Sequence, residues 1–174
     1  MTNANLISMI GNVSQSLIPV QGLIKGLAYL LGILFIVSSF TKFKKIAESH
    51  GQGSSQQKSA GPFIYLVVGA ALLFLPSMIR TLSNTAFGSG NVLQYSQYNP
   101  YDIYSSMEIV IQTAGLIWFV RGCSLVVHMG EPGHEETNKG FLFIMAGIFA
   151  INFRSTYGFI DYAMTHLLAL THQS

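Results

Sequence analysis

Charged residues are scarce in this sequence. Only 9% of its 174 residues are Asp, Glu, Lys or Arg, whereas soluble domains usually contain about 25%. Half of the residues are apolar, and the few charges are clustered rather than spread over the chain. A soluble fold of this length could not cover its surface with so few charges. The net charge of +2 gives no sign of a nucleic-acid-binding surface, so direct nucleic-acid binding is not expected.

Cysteine is also scarce throughout the sequence, and basic residues are absent from its first 24 positions. Cys123 is the only cysteine, so neither an intrachain disulfide nor a thiolate metal cluster is possible. No Lys or Arg precedes Lys25, which argues against a cleaved signal peptide with its basic start. The sequence contains no P-loop, no G-x-G-x-x-G and no H-E-x-x-H motif. We therefore expect no enzyme activity, no cofactor and no metal site.

Long apolar segments are what the sequence does contain. The four segments cover residues 26–41, 62–79, 109–127 and 140–154. Each approaches the roughly 20 residues that a membrane-spanning helix needs. Stretches such as LAYLLGILFIV have no polar face of the kind that a helix in a soluble bundle shows. The sequence therefore predicts an all-α integral membrane protein with about four transmembrane helices, arranged as two helical hairpins.

Polar segments divide the chain into four regions. Residues 1–20 place their apolar side chains on one helical face, which predicts a short amphipathic helix at the membrane surface. Residues 21–80 form the first hairpin, with a basic loop at 42–60. Residues 81–108 form a polar, Tyr-rich linker, and residues 109–174 form the second hairpin and a C-terminal helix.

The basic residues predict the topology. Lys42, Lys44, Lys45 and Lys58 lie in the first loop beside a single acidic residue, and loops rich in Lys and Arg stay in the cytoplasm. The loop at 42–60 should therefore be cytoplasmic, whereas the Tyr-rich linker and both termini lie outside. This arrangement corresponds to a multi-pass membrane protein in contact with membrane lipids.

Two features predict close helix packing. The order of span, polar linker, Lys, Gly and span occurs twice, in KSAGPFIYLVVGAALLF (58–74) and TNKGFLFIMAGIFAINF (137–153). In addition, the pairs Gly22 with Gly26 and Ala146 with Ala150 each place two small residues on one helix face. Small residues at this spacing let membrane helices approach closely. We therefore expect contacts between helices and association between copies of the chain.

Arg121 is the one formal charge inside the third apolar segment. It lies seven residues before His128, or roughly 10 Å along a helix. Its guanidinium could extend to the lipid headgroups while its methylene groups stay in the hydrocarbon. Alternatively, Arg121 faces protein or a water-filled pore and pairs there with an acidic group or with carbonyls. Both interpretations stay open at this point.

Three stretches resemble one known family. They are LAYLLGILFIVSSFTKFK (27–44), GPFIYLVVGAALLFLPSMIRTLSNTAF (61–87) and WFVRGCSLVVHMGEPGHEETNKGFLFIMAGIFAIN (118–152). Their order and motifs resemble the IcmC/DotE family of type IVB (Dot/Icm) secretion systems, whose plasmid counterparts are the TraQ proteins of IncI-type conjugation. The matching motifs are Arg121-Gly122, Lys139-Gly140 and Ile151-Asn152.

The resemblance implies a multi-pass subunit, located in the bacterial inner membrane, of an apparatus that exports DNA or effector proteins. Its partners would be other subunits of that machine, and no catalytic residues are carried over. The resemblance also implies likeness to conjugative pilins, whose helical hairpins polymerise. Three hypotheses follow: a membrane subunit of a type IVB conjugation or secretion apparatus, a pilin-like subunit of a filament, and an independent small channel or transporter.

Overall fold

The computed structural model describes residues 2–49, 60–87, 102–128 and 137–171. These residues form six α-helices and no strand: α1 (Thr2–Ser49), α2 (Ala60–Leu73), α3 (Leu75–Phe87), α4 (Ile103–His128), α5 (Thr137–Ile151) and α6 (Phe153–Thr171). The all-α prediction is confirmed for this part of the chain. Lys58 of the expected basic loop and Tyr95, Tyr98 and Tyr101 of the expected linker lie outside the described residues.

Two of these helices are long and apolar enough to cross a membrane on their own. They are α1, over Leu6–Glu48, and α4, over Ile103–His128. The pairs α2–α3 and α5–α6 meet the same criterion if each pair is one bent span. The described residues therefore contain two to four candidate spans, which is compatible with a multi-pass membrane protein.

Helix α1 is longer than the sequence analysis anticipated. It runs without interruption through Pro19 and joins the expected amphipathic segment to the first span. It also continues to Ser49, so that Lys42, Lys44 and Lys45 lie on its last turns rather than in a loop. Lysine is a good helix former, and an ion pair of 3.8 Å between Lys44 and Glu48, one turn apart, favours the extension. With 48 residues, α1 is about 70 Å long, more than twice the hydrocarbon thickness of a bilayer.

The second and fourth apolar segments are sharply bent instead of straight. The chain turns by 95° between α2 and α3 and by 91° between α5 and α6. Pro76 accounts for the first bend, because proline has no N–H to donate and its ring clashes with the carbonyl one turn earlier. At the second bend, Asn152 Nδ2 donates to the carbonyl of Ile148, and Thr156 Oγ1 donates to that of Phe149. Side chains that bond to helix carbonyls in this way bend helices.

Helix α4 lies at the centre of the molecule. It packs against α1 and α2 on one side and against α5 on another. Its residues Leu116, Phe119, Cys123 and Val127 are buried in the core, together with residues of α1, α2, α3 and α5. The central position of α4 brings the two halves of the chain, α1–α3 and α4–α6, into contact.

Candidate functional site: a repeated helix-pair interface

Two glycines form the contact between α1 and α2. A Cβ atom on Gly32 would lie 2.8 Å from the carbonyl oxygen of Gly69 and 2.9 Å from the backbone nitrogen of Leu73. A Cβ atom on Gly69 would in turn lie 2.9 Å from the carbonyl oxygen of Gly32 and 3.1 Å from the nitrogen of Ile36. No side chain fits at either position, because the two backbones are in direct contact there.

The same contact joins α4 and α5. A Cβ atom on Gly115 would lie 2.9 Å from the carbonyl oxygen of Gly147 and 2.9 Å from the nitrogen of Ile151. A Cβ atom on Gly147 would lie 2.8 Å from the carbonyl oxygen of Gly115 and from the nitrogen of Phe119. The long helices correspond with an offset of 83 residues, which relates Gly32 to Gly115 and Ile36 to Phe119. The short helices correspond with an offset of 78 residues, which relates Gly69 to Gly147 and Leu73 to Ile151. Corresponding atoms therefore meet in both halves of the chain.

The correspondence extends one heptad further along each helix pair. In the first half, the Ser39 hydroxyl donates to the carbonyl of Pro62 over 2.7 Å. In the second half, a Cβ atom on Gly122 would lie 2.9 Å from the carbonyl oxygen of Gly140. Gly122 is the equivalent of Ser39 on the long helix, and Gly140 is the equivalent of Pro62 on the short helix. Each pair of helices thus has two close contacts, seven residues apart.

Aromatic rings beside the glycine contacts also correspond. Phe35 and Tyr65 form an edge-to-face pair with ring centroids 5.9 Å apart. Trp118 and Phe143, at the equivalent positions, form a similar pair at 6.4 Å. A cation from the longer helix lies over the second ring in both halves: Lys42 Nζ is 3.7 Å from the Tyr65 centroid, and Arg121 Cζ is 5.4 Å from the Phe143 centroid. The cations themselves occupy different positions, one turn apart in register.

The two bends complete the repeat. Phe74 lies five residues after Gly69, and Asn152 lies five residues after Gly147. At both residues the backbone N–H donates to the carbonyl four residues earlier, and the carbonyl accepts from the N–H four residues later. The chain therefore contains two copies of one unit, in which a long helix, a short antiparallel helix and a bend of about ninety degrees follow in order. The sequence repeat aligns Gly61 with Gly140, whereas in the structure the equivalent of Gly140 is Pro62. The structural alignment of the short helices is therefore shifted by one residue from the sequence alignment.

A hydrogen bond across the molecular centre sets the register between the two units. Gln21 Nε2 on α1 donates to Thr113 Oγ1 on α4 over 2.9 Å, and both side chains are buried. The Thr113 hydroxyl donates in turn to the carbonyl of Ile109 over 2.7 Å. Because the far end of α4 contacts Tyr65 through His128, and Tyr65 contacts Lys42, α1 and α4 run in the same direction.

The two units are offset along this common direction. Thr113 lies beside Gln21, yet its equivalent in the first unit is Leu30, 83 residues earlier. Gln21 and Leu30 are nine residues apart, which corresponds to about 13 Å along a helix. The second unit is therefore displaced from the first by about this distance along the helix axis.

Arg121 lies on the outer face of the α4–α5 pair. Its side chain is exposed and contacts the ring of Phe143. Glu131, Glu135 and Glu136, the acidic residues that the predicted topology places on the same side of the membrane as the nearer end of the span, lie outside the described residues. Within the described part of the chain, Arg121 thus faces the surroundings of the protein and not its core.

The other predicted residues take different positions. Lys44 and Lys45 are exposed on α1. A Cβ atom on Gly22 or Gly26 would meet nothing within 4 Å, so this pair makes no close contact within the described chain. Ala150 does lie in a contact, with its Cβ atom 2.7 Å from the position of a Cβ atom on Gly115, whereas Ala146 is half-buried.

Polar side chains mark the start of α4. Asp102 caps the helix: its carboxylate accepts from the backbone N–H of Tyr104 over 3.2 Å and from the Ser105 hydroxyl over 2.9 Å. The hydrogen bond from Ser105 is the main cause that lowers the pKa of Asp102. Glu108 lies 3.9 Å from Arg154 at the start of α6, which links the two helices near the second bend.

Sequence reasoning missed the residues that form the repeated contact. Gly32, Gly115, Gly122 and Gly147 were not identified, although a spacing of seven was visible in GLIWFVRG and GFLFIMAG. Seven residues equal about two helical turns, so both glycines of such a pair lie on one helix face. The signal becomes specific only when the facing helix carries small residues at the same spacing, as Pro62 and Gly69 do opposite Gly32 and Ser39.

Comparisons with family models, with curated proteins and with solved structures found no match for this chain.

Proposed function

We propose that this protein is a membrane subunit of a type IVB secretion or conjugation apparatus, and that it acts by packing its helices against other subunits. The resemblance of residues 27–44, 61–87 and 118–152 to the IcmC/DotE family supports the choice of machine. The single observation that carries the structural role is the repeated glycine contact, which builds two rigid helix pairs. In this proposal each pair is a helical hairpin whose tip lies in the cytoplasm.

The character of the exposed surface supports a membrane location. Large apolar side chains are exposed along α1 and on the short helices α2 and α5, among them Leu23, Leu30, Phe40, Phe63 and Phe141. A surface of this kind is stable in lipid or against another apolar protein, but it aggregates in water. The charged residues Lys44, Lys45 and Glu48 instead follow the apolar part of α1 and lie at one end of the molecule.

A pilin-like filament subunit is the second candidate, and one observation favours it. The units are offset by about 13 Å along the helix axis, as the pairing of Gln21 with Thr113 indicates. Successive subunits of a helical filament are likewise related by a rise along the filament axis. A channel or transporter is the least supported candidate, because few polar side chains lie in the middle of the described spans.

Cell fractionation separates the first two candidates. Donor cells that carry an epitope-tagged chain would be sheared, and the sheared filaments and the inner membrane would be analysed by immunoblotting. A membrane subunit remains in the inner-membrane fraction and resists extraction at alkaline pH. If most of the chain appeared in sheared filaments, the second candidate would replace the first. Recovery of the chain in the soluble fraction would contradict both.

A further inference from the structure

The groove between α1 and α2 is filled by α4. Gln21 and Phe35 of α1 and Tyr65 of α2 line this groove, with Gln21 only 7% exposed. From the other side, α4 contributes Thr113, Leu116 and Cys123, which are each at most 4% exposed. The first unit thus presents a groove, and the long helix of the second unit occupies it.

Among residues 2–49, 60–87, 102–128 and 137–171, nothing fills the equivalent groove of the second unit, between α4 and α5. The equivalents of Gln21, Ile24 and Phe35 are Tyr104, Met107 and Trp118. Their exposed fractions are 79%, 45% and 46%. The same groove that is filled between α1 and α2 is therefore open between α4 and α5, and three large side chains line it.

The matching surface is exposed on α1. The equivalents of Thr113, Leu116 and Cys123, which insert from α4, are Leu30, Ile33 and Phe40. These three side chains are between 39% and 63% exposed. They lie on the side of α1 that points away from α4, as the helical period of 3.6 residues requires. The described part of the chain thus has an uncovered groove at one side and, at the other, an uncovered copy of the helix face that fills such grooves.

We propose that a second copy of this chain docks its α1 into the groove between α4 and α5, and that this contact repeats the packing of α4 against α1 and α2. The inference rests on the proposed function, because it supplies the self-association through which such a subunit would assemble. Both surfaces have an observed counterpart inside the chain, so the repeat itself identifies the occupant as a second copy.

Two glycines in the middle of α1 gain a role in this contact. Gly22 and Gly26 lie on the same side of α1 as Leu30 and Ile33, and nothing within the described chain approaches them. Glycines spaced by four residues allow membrane helices to pack closely. In the proposed assembly, Gly26 takes the position that Ile109 occupies on α4.

The contact is head-to-tail, because the two surfaces differ. Head-to-tail contacts produce rings if the rotation closes and open helical assemblies if it does not. Since each unit is displaced by about 13 Å along the helix axis from the one before, the step does not return to its starting level. The assembly is therefore open, and its length is not fixed by symmetry.

Cysteine crosslinking tests the contact. Within one chain, Gln21 lies beside Thr113. In the proposed contact their equivalents take these places, so Tyr104 of one copy lies beside Leu30 of the next. In full-length protein with Cys123→Ala, the variant with Tyr104→Cys and Leu30→Cys should form a ladder of covalent oligomers in membranes after mild oxidation. The control combines Tyr104→Cys with Leu27→Cys, because Leu27 and Leu30 are both 57% exposed, but Val110, the α4 equivalent of Leu27, is 38% exposed whereas Thr113, the equivalent of Leu30, is buried in the contact. This control should lose the ladder.

Each outcome decides the proposal. A ladder with Leu30 and none with Leu27 supports the docked second copy. Absence of a ladder from both variants, with normal membrane abundance, would mean that lipid or another protein covers these surfaces. Dimers from Leu30→Cys alone would indicate a symmetric contact and would also overturn the proposal. The proposed function fails separately, if a strain without this chain transfers DNA normally whatever the crosslinking result.

Discussion

Gln21 of α1 donates a buried hydrogen bond to Thr113 of α4 over 2.9 Å, and this bond fixes how the two halves of the chain meet. The Thr113 hydroxyl donates in turn to the Ile109 carbonyl, so this hydroxyl both accepts and donates a hydrogen bond. A buried polar group that loses its partner costs roughly 1–3 kcal/mol. In membrane proteins, the measured values for such pairs are often lower, about 0.6 kcal/mol on average.

Removal of both partners should therefore destabilise the molecule by less than the sum of the two single removals. We expect Gln21→Leu or Thr113→Val alone to lower the free energy of unfolding by about 1 kcal/mol, and the double variant to lose less than the sum. Unfolding in detergent micelles measures this coupling. The control is Ser106→Ala, since the Ser106 hydroxyl is buried without a hydrogen-bond partner among the described residues and its loss should cost little. Strict additivity of the two substitutions would contradict the coupling.

The glycine contact gives a stronger effect. Gly115→Ala places a methyl group within 3 Å of the Gly147 carbonyl, the Ile151 nitrogen and the Ala150 methyl group. Because two of these are backbone atoms, the helices must move apart, at a cost of about 1–3 kcal/mol. Gly158→Ala is the matched control, since a Cβ atom there meets nothing within 4 Å and alanine favours a helix. A thermal melt in which both variants match the wild type would show that α4 and α5 are not in contact there.

Arg121 should tolerate a conservative change. Its exposed side chain lies against Phe143, where any cation of sufficient length can contact the ring and extend towards headgroups. We expect Arg121→Lys to transfer DNA almost as the wild type does. Arg121→Leu should insert normally, since removing a charge favours insertion by about 2.5–3.5 kcal/mol at a span centre and by less near its end, but it should lower transfer.

Transfer frequency, measured beside membrane abundance, checks the Arg121 prediction. Equal loss in both variants would indicate a bidentate partner that lysine cannot replace. Normal transfer by Arg121→Leu would show that the charge has no role in export.

The orientation in the membrane is open to a labelling experiment. With Cys123→Ala as background, Ser54→Cys should be protected from an impermeant maleimide in spheroplasts, whereas Ser96→Cys should react. The reason is the excess of lysines around the first loop, which retains that loop in the cytoplasm. The reverse labelling pattern would invert the topology and place the Lys44 end of α1 outside.

Sequence patterns are sufficient for the class of fold but for only one of its two bends. Hydropathy alone indicates apolar helices, because each span must satisfy its backbone hydrogen bonds within itself. The bend at Pro76 follows from the chemistry of proline, which the sequence displays. The bend at Asn152 could not be predicted in this way. It depends on a hydrogen bond from the Asn152 amide to the Ile148 carbonyl, and the side chain of an isolated Asn in an apolar stretch can bond to other groups instead.

The candidate site was predictable only in part. Small residues were expected to matter for packing, yet a Cβ atom on Gly22 or Gly26 would meet nothing within 4 Å in the described chain, whereas Gly32 and Gly115 lie in direct backbone contact. Spacing along one helix specifies a face but not the helix that covers it. That information depends on register, which Gln21 and Thr113 set across 92 residues of sequence.

Deletion of the coding sequence from its host plasmid or chromosome, followed by measurement of DNA transfer or effector export, tests the central claim most directly. The account predicts loss of transfer, with recovery when the wild-type chain is supplied in trans and poor recovery when Gly115→Leu is supplied at equal membrane abundance. Transfer at the wild-type level in the deletion strain would contradict a role in the export machine.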